Sequence, residues 1–107
     1  MKRLVVAARA LDDLAEIAHY SRKQWGRNRT RAYLAEIERC FGEIGRNPAA
    51  GAPRDDIKPG YRSGRAGRHL VFYRETREAI EVLRVLHQSM DLARHLSDFT
   101  PGKIDLD

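Results

Sequence analysis

The spacing of hydrophobic and polar positions changes twice along the chain, from strand to helix and back to strand. Residues Arg3 to Ala7 (RLVVA) form a short apolar run predicted as a strand. From about Arg9 to Trp25, Leu11, Leu14, Ala18 and Trp25 recur at helical spacings, while Asp13, Glu16, Arg22 and Lys23 fall on a polar face. Acids early and bases late suit the helix dipole, and Gly26 is a natural stop. The usual capping side chain is missing, because Ala7 and Ala8 stand where it belongs; Asp12 and Asp13 partly compensate. A second helix is predicted from about Arg29 to Arg46, with Tyr33, Ile37, Cys40, Phe41 and Ile44 on one stripe, Asn28 or Thr30 as cap, and Asn47-Pro48 as the end. The connection around Gly26 to Asn28 is so short that the two helices must fold back as an antiparallel hairpin.

After a loop from Asn47 to Gly60 that breaks both periods, the last third reads as sheet. Strands are predicted at Gly60 to Gly64, Arg68 to Arg74 and Ala79 to His87, the last two joined by the polar turn Glu75 to Glu78; such short links imply antiparallel neighbours. In the middle strand Leu70 and Phe72 alternate with His69, Val71 and Tyr73, so both faces are apolar and the strand is expected to be central. Strict alternation in the final strand puts Ile80, Val82, Arg84 and Leu86 on one face and Leu83, Val85 and His87 on the other. Met90 to Leu96 reads as a short helix. The fold class expected is α+β: a strand, a two-helix antiparallel hairpin, a three-stranded antiparallel run and a short C-terminal helix. Residues 1–99 make one domain, and residues 100–107 a flexible tail.

A length of 107 residues with 42% hydrophobic content supports one modest core. Cys40, the only cysteine, excludes an intramolecular disulfide and any site built on several cysteines; on the apolar stripe of the second helix it reads as a core residue. The apolar run Leu4 to Ala8 is too short for a signal-peptide core, and no other segment is long enough to span a bilayer, so a cytoplasmic protein without membrane contact is expected.

Charge sharpens this picture. The formal net charge is +5, and sixteen of the twenty basic residues are arginine, the cation suited to bidentate contacts with carboxylate and phosphate. Between Gly60 and Arg74 stand Arg62, Arg65, Arg68 and Arg74 with no acidic residue, and Arg84, His87 and Arg94 follow. An anionic partner is expected for this set, either nucleic acid or an acidic protein segment. A ribonuclease needs a base, an acid and cations around the scissile phosphate. Arg65, Arg68, Arg84 and His87 offer parts of that set, but not all of it. His19, His69 and His95 share no metal-ligand spacing with His87, and neither metal nor other cofactor is expected. Tyr20, Trp25, Tyr33 and Tyr73 are read mostly as core.

Two segments carry a family resemblance, GRHLVFYR from Gly67 to Arg74 and IEVLRVLHQSMDLARHL from Ile80 to Leu96, supported by ALDDLAEIAHYSRKQWG from Ala10 to Gly26 and the loop NPAAGAPRDDI. With these the chain resembles ParE-type toxins of bacterial type II toxin-antitoxin systems, in the RelE/ParE superfamily. The resemblance implies a non-enzymatic toxin that poisons DNA gyrase. It also implies a ParD-like ribbon-helix-helix antitoxin, bound in a hetero-oligomer through an acidic tail that folds on the toxin and itself making most of the contact with DNA. The RelE-like branch, which cleaves messenger RNA on the ribosome, implies a basic residue and a tyrosine or histidine at the end of the last strand. Arg84 and His87 match it in part, whereas Gln88 and Ser89 stand where a catalytic tyrosine is expected. A binding module without toxicity is the third alternative.

Overall fold

In the computed structural model, which describes residues 2–90, two helices back a five-stranded sheet. In chain order the elements are β1 (Arg3–Val6), α1 (Ala8–Trp25), α2 (Arg27–Arg46), a 3-10 turn (Pro48–Ala50), β2 (Ala52–Pro53), β3 (Tyr61–Ala66), β4 (His69–Glu75) and β5 (Ala79–His87). The sheet order is β1-β5-β4-β3-β2, parallel between β1 and β5 and antiparallel elsewhere. The α+β class and the central position of β4 agree with the sequence. The helix expected over Met90 to Leu96 lies outside the described residues except for Met90, and so does the tail at 100–107.

The buried stripe of α1 differs from the expected one. Ala10, Leu14, Ile17 and Ser21, at steps of four, three and four, face inward, whereas Leu11 and Trp25 point out with 55% and 46% of their surface exposed. Ala10 has no exposed surface at all, and its small side chain suits the close approach of α1 to the sheet. The stripe of α2 is as expected: Ile37, Cys40 and Ile44 are buried, with Tyr33, Leu34 and Phe41 partly so. Burial first, and the nearby Glu43 second, push the Cys40 thiol up to about 11, so it stays protonated and inert.

Gly26 alone joins the helices. It ends α1 and begins α2, so α2 starts two residues earlier than expected and has no side-chain cap. Its φ of 84° with ψ of 176° is open to glycine and essentially to no other residue. Thr30 points its hydroxyl back to the Gly26 carbonyl at 2.8 Å instead of capping the helix.

The loop after α2 is more ordered than its composition implied. Tyr73, buried in β4, donates its hydroxyl to the Pro48 carbonyl at 2.7 Å and accepts the Gly51 amide at 3.0 Å. This fixes the 3-10 turn and sets β2 against β3 as a short edge strand. A side chain at Gly51 would meet that hydroxyl, because its Cβ would lie 2.2 Å from the Tyr73 oxygen.

Both faces of the sheet are apolar. Val71, Tyr73, Ile80, Val82 and Val85 pack toward the helices, and Tyr61, Phe72, Leu83 and Leu86 form a second cluster with Ala7. Strict alternation in β5 fails at one point: Phe72 pairs with Arg84 but Tyr73 pairs with Val82, so Leu83 is an extra residue, a β-bulge. The bulge moves Leu86 away from the face of Ile80 and Val82, contrary to the alternation read from sequence.

At the same place β1 ends. Its last ladder pair is Val6 with Val82, and Ala7 donates to the Val82 carbonyl before α1 begins. Asp13 of α1 takes over the edge of β5 from there. Its Oδ2 accepts the Val85 amide at 2.9 Å, and its two oxygens accept Nε and Nη2 of Arg84, each at 2.9 Å. Both side chains are almost fully covered, Arg84 with 8% and Asp13 with 11% of its surface exposed. Removing one partner of such a buried pair costs about 3–5 kcal/mol, because the other charge is left desolvated. Asp13→Ala is therefore expected to lower stability by about 3 kcal/mol in urea denaturation and Asp13→Asn by less; a loss below about 1 kcal/mol for the alanine variant would show that the pair does not tie α1 to the sheet.

Candidate functional site

The six described residues of the expected basic set separate into two groups. Arg62 turns back into its own loop, where Nη1 donates to the carbonyls of Gly51 at 2.7 Å and Ala49 at 3.2 Å. Arg74 pairs with Glu81 on the neighbouring strand. Arg84 is buried against Asp13, which corrects the expectation that it faces a partner. These three cations hold the fold together. Arg94 lies outside the described residues.

Arg65, Arg68 and His87 do come together, at the end of the sheet where the β3–β4 hairpin turns and β5 stops. Gly67, with φ of 59°, makes that turn and lies so close to the Tyr33 ring that a Cβ there would fall 2.6 Å from it. Arg65 donates from Nη1 to Oε1 of Gln88 at 2.7 Å, and the Gln88 amide donates to the Arg68 carbonyl at 2.8 Å, which fastens the end of β5 to the hairpin. Arg65 and Arg68 are exposed.

Behind the arginines lies a cluster that the sequence reading did not assemble. Tyr33 reaches over from α2, accepts the Arg68 amide at 3.0 Å, and places its hydroxyl 2.6 Å from Nδ1 of His69. His69 pairs across the ladder with His87, and their rings meet edge to face at 5.2 Å. His87 Nδ1 lies 2.7 Å from the Ser89 hydroxyl and accepts the Ser89 amide at 3.1 Å. Burial first, and the neighbouring His87 second, pull His69 down to about 4. His69 is thus neutral near pH 7, and the Tyr33 hydroxyl beside its Nδ1 also lies 3.2 Å from the Ala66 carbonyl. One signal for this cluster was legible, since both histidines sit at facing ends of the last two strands; the reach of Tyr33 depends on how α2 lies on the sheet. Among the described residues no group of three or more His, Cys, Asp or Glu side chains is placed to hold a metal ion, and no helix is long and apolar enough to cross a membrane.

What this arrangement offers chemically is a basic, aromatic edge on a small α+β domain. The fold is shared with a solved structure described as the chromosomal ParDE TA system from P. aeruginosa, with a TM-score of 0.72 over 81% of this chain and 96% of that one, at 20% identity. The family described as ParE toxin of type II toxin-antitoxin system, parDE, matches residues 4–92. The chain belongs to this family. Toxin ParE1 of Mycobacterium tuberculosis is 40% identical over 95 residues, which is 88% of this chain and 97% of the relative. Toxin ParE1 of Caulobacter vibrioides is 38% identical over 90% of this chain and 99% of its own length, and Toxin ParE of Escherichia coli is 29% identical over 95% and 100%.

The state of His69 sets a pH dependence. Its ordinary value is 6.5 and its folded value about 4, so in the interval between them the unfolded chain binds the proton more readily than the folded one. Stability is then complete above about pH 6.5 and falls as the pH drops toward 4. Because the ring is partly exposed and solvent screens it, the loss is on the order of 1 kcal/mol. His69→Gln should flatten this part of the stability profile, and an NMR titration of the ring should find His69 still neutral at pH 5.5; a midpoint near 6.5 would refute the assignment.

Proposed function

We propose that this toxin arrests growth by poisoning DNA gyrase, and that a ParD-like ribbon-helix-helix antitoxin keeps it inactive in a cytoplasmic hetero-oligomer. The antitoxin makes most of the contact with DNA. The observation that carries this reading is the family match over residues 4–92. The site supports it in two ways. Arg65 and Arg68 stand exposed beside the aromatic cluster, suited to an acidic, disordered antitoxin tail that folds as it binds. The ribonuclease set, in contrast, lacks one of its members: Arg84 lies inside against Asp13, turned away from any scissile phosphate. The toxin therefore acts by binding rather than by catalysis.

Purified gyrase should show inhibited supercoiling and trapped DNA cleavage when this protein is added, while ribosomes programmed with messenger RNA stay uncut; cut message with unaffected gyrase would replace this reading by the ribonuclease one. Arg65→Ala with Arg68→Ala should weaken antitoxin binding or toxicity at least tenfold and change stability by less than about 0.5 kcal/mol, as is usual for surface positions. Arg84 is left out of that test because its loss would strand the buried Asp13.

A further inference from the structure

The tip of the helical hairpin, remote from the sheet core, is the second unusual surface. From Ile17 to Ala35 the chain carries Arg22, Lys23, Arg27, Arg29 and Arg31 and not one aspartate or glutamate. All five cations are exposed, and among the described residues none of them forms an ion pair. Two aromatic rings that the sequence pattern assigned mostly to the core stand among them: Tyr20 is 61% and Trp25 46% exposed. Trp25 touches Tyr20 and Tyr33 edge to face, each at 6.4 Å between centroids, and the Arg29 guanidinium lies over its ring at 5.5 Å. A shallow pocket on the hairpin is lined by Arg22, Arg27 and Arg31 together with Leu34 and the carboxylate of Glu38, and neither ring is part of its lining.

We infer that this tip binds single-stranded nucleic acid, with phosphates met by the exposed cations around the rings, Arg29 foremost, and a base stacked on Trp25 or Tyr20. Cations alone would suit any polyanion. Exposed flat rings interleaved with them are what a strand with accessible base faces uses, since stacking is tolerant of sequence and a duplex hides those faces. An acidic peptide would satisfy the guanidinium groups but would leave the rings in water. The ring contacts continue from Trp25 through Tyr33 to His69 and His87, so the tip adjoins the edge assigned to the antitoxin. The inference does not rest on which target the toxin poisons.

Trp25 is the only tryptophan of the chain and reports directly on its own stacking. The full-length protein is titrated with oligo(dT), oligo(U), a duplex of equal length and polyglutamate of equal charge, following tryptophan fluorescence and the anisotropy of labelled oligonucleotide. Both single strands, or one of them, should quench Trp25 and bind at least fivefold more tightly than the duplex or polyglutamate; which of the two is preferred tells DNA from RNA. Three engaged phosphates imply a salt slope near −2, or about 16-fold weaker binding between 50 and 200 mM salt. Trp25→Ala should weaken binding at least fivefold, Arg27→Glu with Arg29→Glu should abolish it, and Arg77→Glu in the distant β4–β5 turn should leave it unchanged. Tyr20→Ala serves as the second ring variant should Trp25→Ala melt early. No binding, no quenching on binding, or polyglutamate matching the oligonucleotides would overturn the inference, the last in favour of an acidic protein.

Discussion

One carboxylate governs how the halves of this molecule meet. Asp13 accepts from Arg84 and from the Val85 amide, and so does for β5 what a longer β1 would otherwise have done. A bulge at Leu83 sits next to that point, and with it the alternation of the strand changes beyond Val82. His87 then lands opposite His69, within reach of the Tyr33 neighbourhood, and the end of β5 becomes part of the basic edge. The pair is expensive to desolvate and is retained nonetheless. Its geometric role accounts for that: it fixes where α1 sits, and α1 carries the hairpin tip.

The arginine excess divides by burial. Arg62, Arg74 and Arg84 are consumed by carbonyls and carboxylates of the fold, whereas Arg65 and Arg68 at the sheet end and the five cations of the hairpin tip face solvent. Two positive surfaces result, linked by a chain of ring contacts through Tyr33.

The elements themselves were legible because period and turn residues agreed: both helices, β4 and β5 are where the patterns put them, and Cys40 is in the core as its stripe required. Three features escaped for physical reasons. Strict alternation cannot anticipate a bulge, so Leu86 was placed on the wrong face. A helical stripe read from large residues favoured Leu11 and Trp25, although close packing on a sheet selects the small Ala10 and Ser21. Read from sequence, Arg84 belongs to the surface, yet a charge set between Val82-Leu83 and Val85-Leu86 is a sign of a buried counter-ion, and a charge is seldom buried without one. Of the residues that meet at the sheet end, Arg65, Arg68 and His87 stand out in the sequence by charge and position, whereas Tyr33 and His69 depend on distant segments meeting.

The parallel pairing of β1 with β5 has a consequence in time. Arg3 faces Ala79 and Val6 faces Val82, so the first strand to leave the ribosome must wait for the last before it has a neighbour. The same delay holds for Asp13, whose cationic partner is made 71 residues later. Contacts of such separation form slowly and late. The edge of the sheet and the tie between α1 and β5 therefore close only once β5 has been made, however early the helices form.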